Sequence, residues 1–166
     1  MRPSSEPTSD ARPTYHHGDL RKALLAAAEA ELSEKGVEGF TLRGCAKRAG
    51  VSHAAPAHHF HDADALLTAL AAEGFERFLA TIVAYRPKEV APASELSGAG
   101  LGYIAFASEH PALFRLMFSS SRPNFSDPHL QRASRAAFDD LVDNVGRIRG
   151  DDPRHSEAGM ADAASP

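Results

Sequence analysis

A chain of 166 residues with 43% apolar and 24% charged content has the composition of a globular protein, one domain of ordinary size or a small module joined to a somewhat larger one. No apolar run approaches the roughly 18 to 20 residues of a membrane span, and "MRPSSEPTSDARP" at the N-terminus lacks the apolar centre of a signal peptide, so a cytoplasmic protein is expected. Cys45 is the only cysteine, which excludes an internal disulfide and a Cys-based zinc site, and the net charge of -4 is uneven: residues 1–60 hold 8 Lys/Arg against 7 Asp/Glu, residues 61–166 hold 10 against 15.

Residues 1–17, rich in Pro, Ser and charge, read as a flexible arm. Asp19 is the expected N-cap of a first helix whose stripe Leu24, Leu25, Ala28 and Leu32 recurs at helical spacing and stops at Gly36. After the turn "VEGF", Thr41 caps a short second helix with Leu42, Cys45, Ala46 and Ala49 on one face and Arg43, Lys47 and Arg48 toward the other. Gly50 ends it. Ser52 is expected to cap a third helix, His53 to about His59, with Pro56 near its first turn. Two short helices joined by a tight Gly-containing turn form a helix-turn-helix, whose second helix fits the roughly 12 Å major groove. From Thr41 to His61 the chain has no Asp or Glu, a pattern that suits a face turned to phosphates.

Asp62 caps a long fourth helix with the stripe Leu66, Leu67, Leu70, Phe75, Phe78 and Ile82, ending before Pro87. "PKEVAPASELSGAGLG" reads as a loop running into a fifth helix from Gly102 to Glu109. Pro111 opens the next helix, with His110 as its cap and "ALFRLMF" as its apolar face. Ser126 or Asp127 caps a last long helix with the stripe Leu130, Ser134, Phe138, Leu141, Val145 and Ile148, closed at Gly150. No strand alternation or repeat is present, and the expected fold class is all-α.

His58, His61 and Asp62 have a spacing that invites a metal, but His61 and Asp62 span an expected helix break and no fourth ligand is evident. Cys45 reads as a small buried hydrophobe. No G-x-S-x-G, HExxH or Gly-rich phosphate loop is present. Neither catalytic residues, a metal nor a cofactor is expected. On spacing alone, Phe75, Phe78, Tyr103, Phe106, Phe114, Met117, Phe118 and Phe138 read as core.

The stretch "RKALLAAAEAELSEKGVEGFTLRGCAKRAGVSHAAPAHHFHDADALLTAL" resembles the tetracycline-repressor (TetR) family of bacterial transcription regulators, through Gly36, Thr41, Arg43, Ala46, the "AGVS" turn, "HHF" and a helix-starting Asp followed by Leu66 and Leu67. "SEHPALFRLMF" is similar to one branch of the family's ligand-binding domains. The resemblance implies a three-helix reading head, joined by a long helix to an α-helical ligand-binding and dimerisation domain. The expected division is an arm over 1–17, a DNA-binding domain over 18–64, a regulatory domain over 65–150 and a tail over 151–166. It implies a homodimer on a palindromic operator in double-stranded DNA, a repressor released by a small apolar or amphipathic ligand, with no membrane partner. Thr41, Arg43, Ser52, His53, Ala54, Ala55, His58 and His59 become the expected DNA-binding residues, with Arg12, His16, His17, Arg21 and Lys22 as a second cationic group beside them. Phe78, Ile82, Tyr103, Phe106, His110, Phe114, Met117 and Phe138 become the expected ligand pocket, Tyr103 and His110 being its polar handles.

The family commonly has Tyr where this chain has Ala57 and Lys where it has Ala63, two phosphate grips whose loss predicts modest intrinsic affinity. A helical interaction module without DNA binding is the alternative of a different class. The family's two closing dimerisation helices have only "DPRHSEAGMADAASP" to form from after Asp151, so an incomplete interface is expected, with Phe138, Leu141 and Val145 on an exposed apolar face.

Overall fold

Capping chemistry sets most helix boundaries in the computed structural model, which describes residues 17–87 and 92–150. The arm through His16, including Arg12, and the tail 151–166 lie outside the described residues. Helix α1 (His17–Lys35) begins before Asp19 and ends where Gly36 takes a left-handed φ of 68° and its N–H bonds the Leu32 carbonyl. Helix α2 (Leu42–Arg48) starts at Thr41, whose extended backbone (φ -140°, ψ 145°) lets its hydroxyl accept from the Gly44 N–H at 3.0 Å. Helix α3 (Ala63–Tyr85) starts at Asp62, which accepts from the Ala65 N–H at 2.7 Å. The remaining helices are α4 (Pro92–Glu109), α5 (Pro111–Ser119) and α6 (Pro128–Arg149). Asp127 caps α6 by accepting from the N–H groups of His129 and Leu130. No strand occurs among the described residues, and the fold is all-α.

Two expectations about helix boundaries are corrected. The third helix is a single 3-10 turn, Ala55–His58. Pro56 has no N–H to give the Ser52 carbonyl, which instead accepts from Ala55 at 3.0 Å, and the i to i+3 pattern continues from Ala57 to Ala54 and from His59 to Pro56. Its N-cap is accordingly Ala54 and not Ser52. Helix α4 begins at Pro92, ten residues before the expected Gly102, although Gly98, Gly100 and Gly102 all weaken helical propensity. Tertiary packing overrides propensity here: a Cβ at Gly98 would lie 2.6 Å from the Tyr85 carbonyl oxygen, and one at Gly102 would lie 2.9 Å from the Ile82 Cα. The glycines let α4 lie against the backbone of α3. In α6, Leu130, Ala133, Asn144 and Gly146 are buried; Phe138 and Leu141 are exposed, as the apolar face expected of this helix requires, and Val145 is half-buried and not exposed. His110 precedes α5 as expected, but its side chain makes no capping bond.

Helix α3 is the spine. It buries Leu66, Leu67, Leu70, Ala71 and Ala72 toward its start and Phe75, Phe78 and Ile82 toward its end. The core is continuous: Leu24, Phe40 and Phe60 of the N-terminal helices belong to the same cluster as Phe106, Leu116 and Leu130 of the C-terminal ones. Each fully buried leucine among these contributes roughly 1.5 to 3 kcal/mol of transfer free energy.

Candidate nucleic-acid interface and ligand cavity

The chain from Thr41 to Phe60 is organised by what it buries. Cys45 and Ala46 seat α2 in the core, Pro56 and Phe60 seat the 3-10 turn, and Gly50 joins the two with φ 68°. Exposed on the opposite side are Thr41, Arg43, Lys47, Ser52, His53, Ala54 and His58, while Ala55 and His59 are half-buried. The His59 ring packs beside that of Phe60, with centroids 6.3 Å apart. Six of the eight residues expected to meet DNA are thus exposed, as is Lys47, and Ala55 and His59 are half-buried. Burial pushes the Cys45 thiol up to about 12, with the Glu31 charge adding to the effect, so no reactive thiolate forms near neutral pH.

Not every cation of the segment faces outward. Arg48 gives Nε to Glu31 Oε2 at 2.5 Å and Nη2 to Glu34, both on α1. Hydrogen bonds from Lys35 and Arg48 hold the Glu34 carboxyl down at about 2. A side chain at Gly44 would collide with the Glu31 carboxylate, so Gly44 makes room for this ion pair. Arg21 likewise turns inward, 3.4 Å from Glu73 with its guanidinium 5.8 Å from the Phe60 ring centroid. Arg43 and Lys47 have no carboxylate partner among the described residues.

A second polar cluster ties α1 to the rest of the molecule. Arg77 of α3 donates to Glu29 of α1 at 2.6 and 3.1 Å, and His110, between α4 and α5, lies 3.2 Å from the same carboxylate. Burial pushes the Glu29 carboxyl up, but the Arg77 hydrogen bond and charge, helped by His110, outweigh it and leave the group below its usual range. Arg122, in the α5–α6 connection, donates to the Val37 carbonyl at 2.5 Å and to Asp64 at 2.8 Å.

Between α3, α4 and α6 lies a cavity of about 370 Å³, a size that suits a small molecule. Phe78, Ile82, Tyr103 and Phe138 line it as expected. Phe106, His110, Phe114 and Met117 do not. Phe106 and Met117 are 1% and 2% exposed and fill the core, Phe114 stacks edge-on to Tyr103 at 5.3 Å, and His110 is taken up by Glu29 and Arg77. Phe75 and Phe118, members of the same aromatic set, line it too, and sequence reasoning missed Arg86 and Asp140, which pair at the cavity wall. The two residues are 54 positions apart, and no local pattern links them.

An exposed, acid-free face on two short helical elements joined through a glycine turn, carried by a helical body with an apolar cavity, defines the class of helix-turn-helix transcription regulators. Residues 24–70 match the family described as bacterial regulatory proteins, tetR family, and residues 96–164 match the tetracyclin repressor-like C-terminal domain. The chain belongs to the tetR family; it is a DNA-binding transcription regulator and not an enzyme. Its fold is similar to that of a protein of unknown function from Rhodococcus sp. RHA1, at 37% identity over 84% of this chain and 72% of that one, with a TM-score of 0.70. It is also similar to a TetR family transcription regulator from Marinobacter aquaeolei VT8 (21% identity, 79% and 70% of the two chains, TM-score 0.63). The fatty acid degradation regulator FadR from Bacillus halodurans shares the fold at 17% identity (89% and 78% of the two chains, TM-score 0.62). No curated protein is significantly similar to the sequence. Among the described residues, no helix is long and apolar enough to cross a membrane.

Proposed function

We propose that the protein is a cytoplasmic repressor that holds a palindromic operator as a homodimer and releases it when a small, mainly apolar molecule enters the cavity. Residues 18–64 act as the reading head, with Thr41, Arg43, Ser52, His53, Ala54, Ala55, His58 and His59 against the DNA, and residues 65–150 act as the regulatory body. The observation that carries this reading is the exposed face between Thr41 and His58, which presents Arg43 and Lys47 and no carboxylate in a chain of net charge -4. Helix α3 supplies the link, because Phe75, Phe78 and Ile82 of its C-terminal half line the cavity while its N-terminal end follows directly on the head. A ligand that changes the tilt of α3 moves paired heads off a half-site spacing of roughly 34 Å, with a coupling of about 1 to 3 kcal/mol. The exposed Leu101 and Ile104 of α4 and Leu141 of α6 supply apolar surface for a homodimer.

Footprinting with the DNA that flanks the protein's own gene tests the reading. Protection of two half-sites related by a dyad, centred about one helical turn or a multiple of it apart, is expected. Binding no tighter than to scrambled DNA of the same length, at the same salt, overturns it. Sedimentation equilibrium at micromolar concentration tests the dimer, and a purely monomeric profile with and without the protected DNA removes that part.

A further inference from the structure

Residues 120–127, between α5 and α6, are rich in turn formers that bond one another. Ser120 Oγ accepts from the Arg122 N–H at 3.2 Å, Asn124 Oδ1 accepts from the Ser126 N–H at 3.0 Å, and Pro123 is buried. The connection is also fastened to α3. The Asn124 N–H donates to Thr68 Oγ1 at 2.9 Å, and the Thr68 hydroxyl donates to the Asp64 carbonyl at 2.6 Å. A loop held at so many points fixes the direction of Arg122, which gives Nη1 to the Val37 carbonyl at 2.5 Å and both Nε and Nη2 to Asp64 Oδ1, at 2.8 and 2.6 Å. Val37 stands in the turn that leads to Thr41, and Asp64 stands in the first turn of α3, just after His61. These are the two ends of the acid-free segment. One guanidinium from the regulatory body therefore holds both.

We infer that Arg122 is a positioning residue for DNA binding: without touching DNA, it clamps the turn before α2 to the start of α3 and so holds the segment from Thr41 to His61 in the shape that the duplex meets. The inference rests on the reading of that segment as the DNA face and deepens it. Asp64 supports it. The cap of α3 is Asp62, which accepts the Ala65 N–H, so Asp64 is not needed for that task. It is an exposed carboxylate at the edge of a face proposed to meet phosphates, where charge alone works against binding. Its pairing with Arg122 gives it a use there: it neutralises the charge and anchors the clamp. A segment ordered in advance binds more tightly, because association then has less freedom to remove.

The full chain and the variants Arg122→Met, Asp64→Ala and the two combined are titrated with the DNA that flanks the protein's own gene, and with scrambled DNA of the same length, at several salt concentrations. Circular dichroism confirms that each variant is folded. Arg122→Met is expected to weaken binding to the flanking DNA about tenfold, the order of one hydrogen bond from a charged donor. Its salt slope is expected to stay that of the unmodified chain, because no phosphate contact is lost. Asp64→Ala separates the clamp from plain charge by its sign. Removing a carboxylate strengthens binding to a polyanion on charge alone, whereas losing the clamp weakens it. The combined variant is expected to bind no more weakly than Arg122→Met, since both changes break the same link. The inference is overturned if folded Arg122→Met binds as the unmodified chain does, if its slope falls by about one, which marks a direct phosphate contact, or if Asp64→Ala binds more tightly. Additive losses in the combined variant overturn it as well. Unchanged binding by Arg122→Met to DNA that the unmodified chain prefers over the scrambled control leaves the DNA face standing and removes the clamp alone. Without such a preference in the unmodified chain, the DNA face falls and this inference with it. Should Arg122→Met fail to fold, the sign of the Asp64→Ala effect decides.

Discussion

Glu31 and Arg48 show how one ion pair sorts the cations of the reading head. The Glu31 side chain is 8% exposed, and Arg48, the third cation of α2, spends its guanidinium on it and on Glu34. Arg43 and Lys47 have no carboxylate partner among the described residues, and under the proposed function they are the cations left for phosphate. In a DNA titration over a range of salt concentrations, Arg43→Ala and Lys47→Ala should each lower the slope of log K against log salt by about one, whereas Arg48→Ala should leave it unchanged. Arg48→Ala should instead lower the urea midpoint, because it strands the buried Glu31 carboxylate. An Arg48→Ala slope equal to that of Arg43→Ala would place all three cations on the DNA and refute the division. Glu29 supplies the pH dependence. Its carboxyl titrates below 4.5 in the folded chain, so its pairing with Arg77 stabilises the fold fully above the unfolded value and is lost as pH falls through the lower, folded one. With Arg77 39% exposed, the expected size is about 1 kcal/mol or less after solvent screening. Urea midpoints measured from pH 7 down to pH 3 should fall more gently for Arg77→Gln than for the unmodified chain, and parallel curves would show that the pair adds nothing.

At the scale of helices, the glycines of α4 divide into two kinds. Gly98 and Gly102 face the backbone of α3, while a Cβ at Gly100 meets nothing within 4 Å. Gly102→Val should therefore push α4 off α3 and destabilise by about 1 to 3 kcal/mol, as overpacking does. Gly100→Ala should be neutral or stabilise by up to about 1 kcal/mol through helical propensity. Thermal unfolding of the two variants checks this, and equal shifts would refute the close approach. The same glycines mark where a reading of sequence runs out. Thr41, Asp62, Asp127 and Pro111 announce their helix starts locally, because a cap or an N1 proline acts on the next three residues. Whether "SGAGLG" is loop or helix depends on α3, which ends at Tyr85, well outside the segment, and the local preference points the wrong way. The 3-10 turn was legible in principle, since Pro56 removes the N–H that an α-helix needs at that point. The exposed, acid-free surface from Thr41 to His58 could be read because charge and exposure there follow from a short, capped helix. The cavity could be read only in part: aromatic spacing picks out Phe78 and Tyr103 but cannot separate them from Phe106 and Met117, whose burial depends on how three helices cross.

For the whole molecule, the continuous core makes a thermodynamic prediction. Leu24 and Phe40 share one apolar cluster with Phe106 and Leu130, and Arg77 and Arg122 bridge the same junction with hydrogen bonds. Head and body should melt together, in one calorimetric transition whose measured and van't Hoff enthalpies agree. Two resolved transitions, or a head that melts first, would show that the junction is weaker than its packing suggests. Under the proposed mechanism, a cavity ligand at 100 times its Kd should stabilise that single unit by about 2.7 kcal/mol, an effect that would be confined to the body if the two parts melted apart. The shared core also limits how such a protein can change over evolutionary time. A reading head whose buried face is completed by α3 and α5 is not a cassette: moved alone onto another body, it would expose Leu24, Leu25 and Ala28 to whatever that body presents. Under the proposed function, new operators would then be reached by substitution on the exposed face from Thr41 to His58, residue by residue, and not by exchange of whole heads.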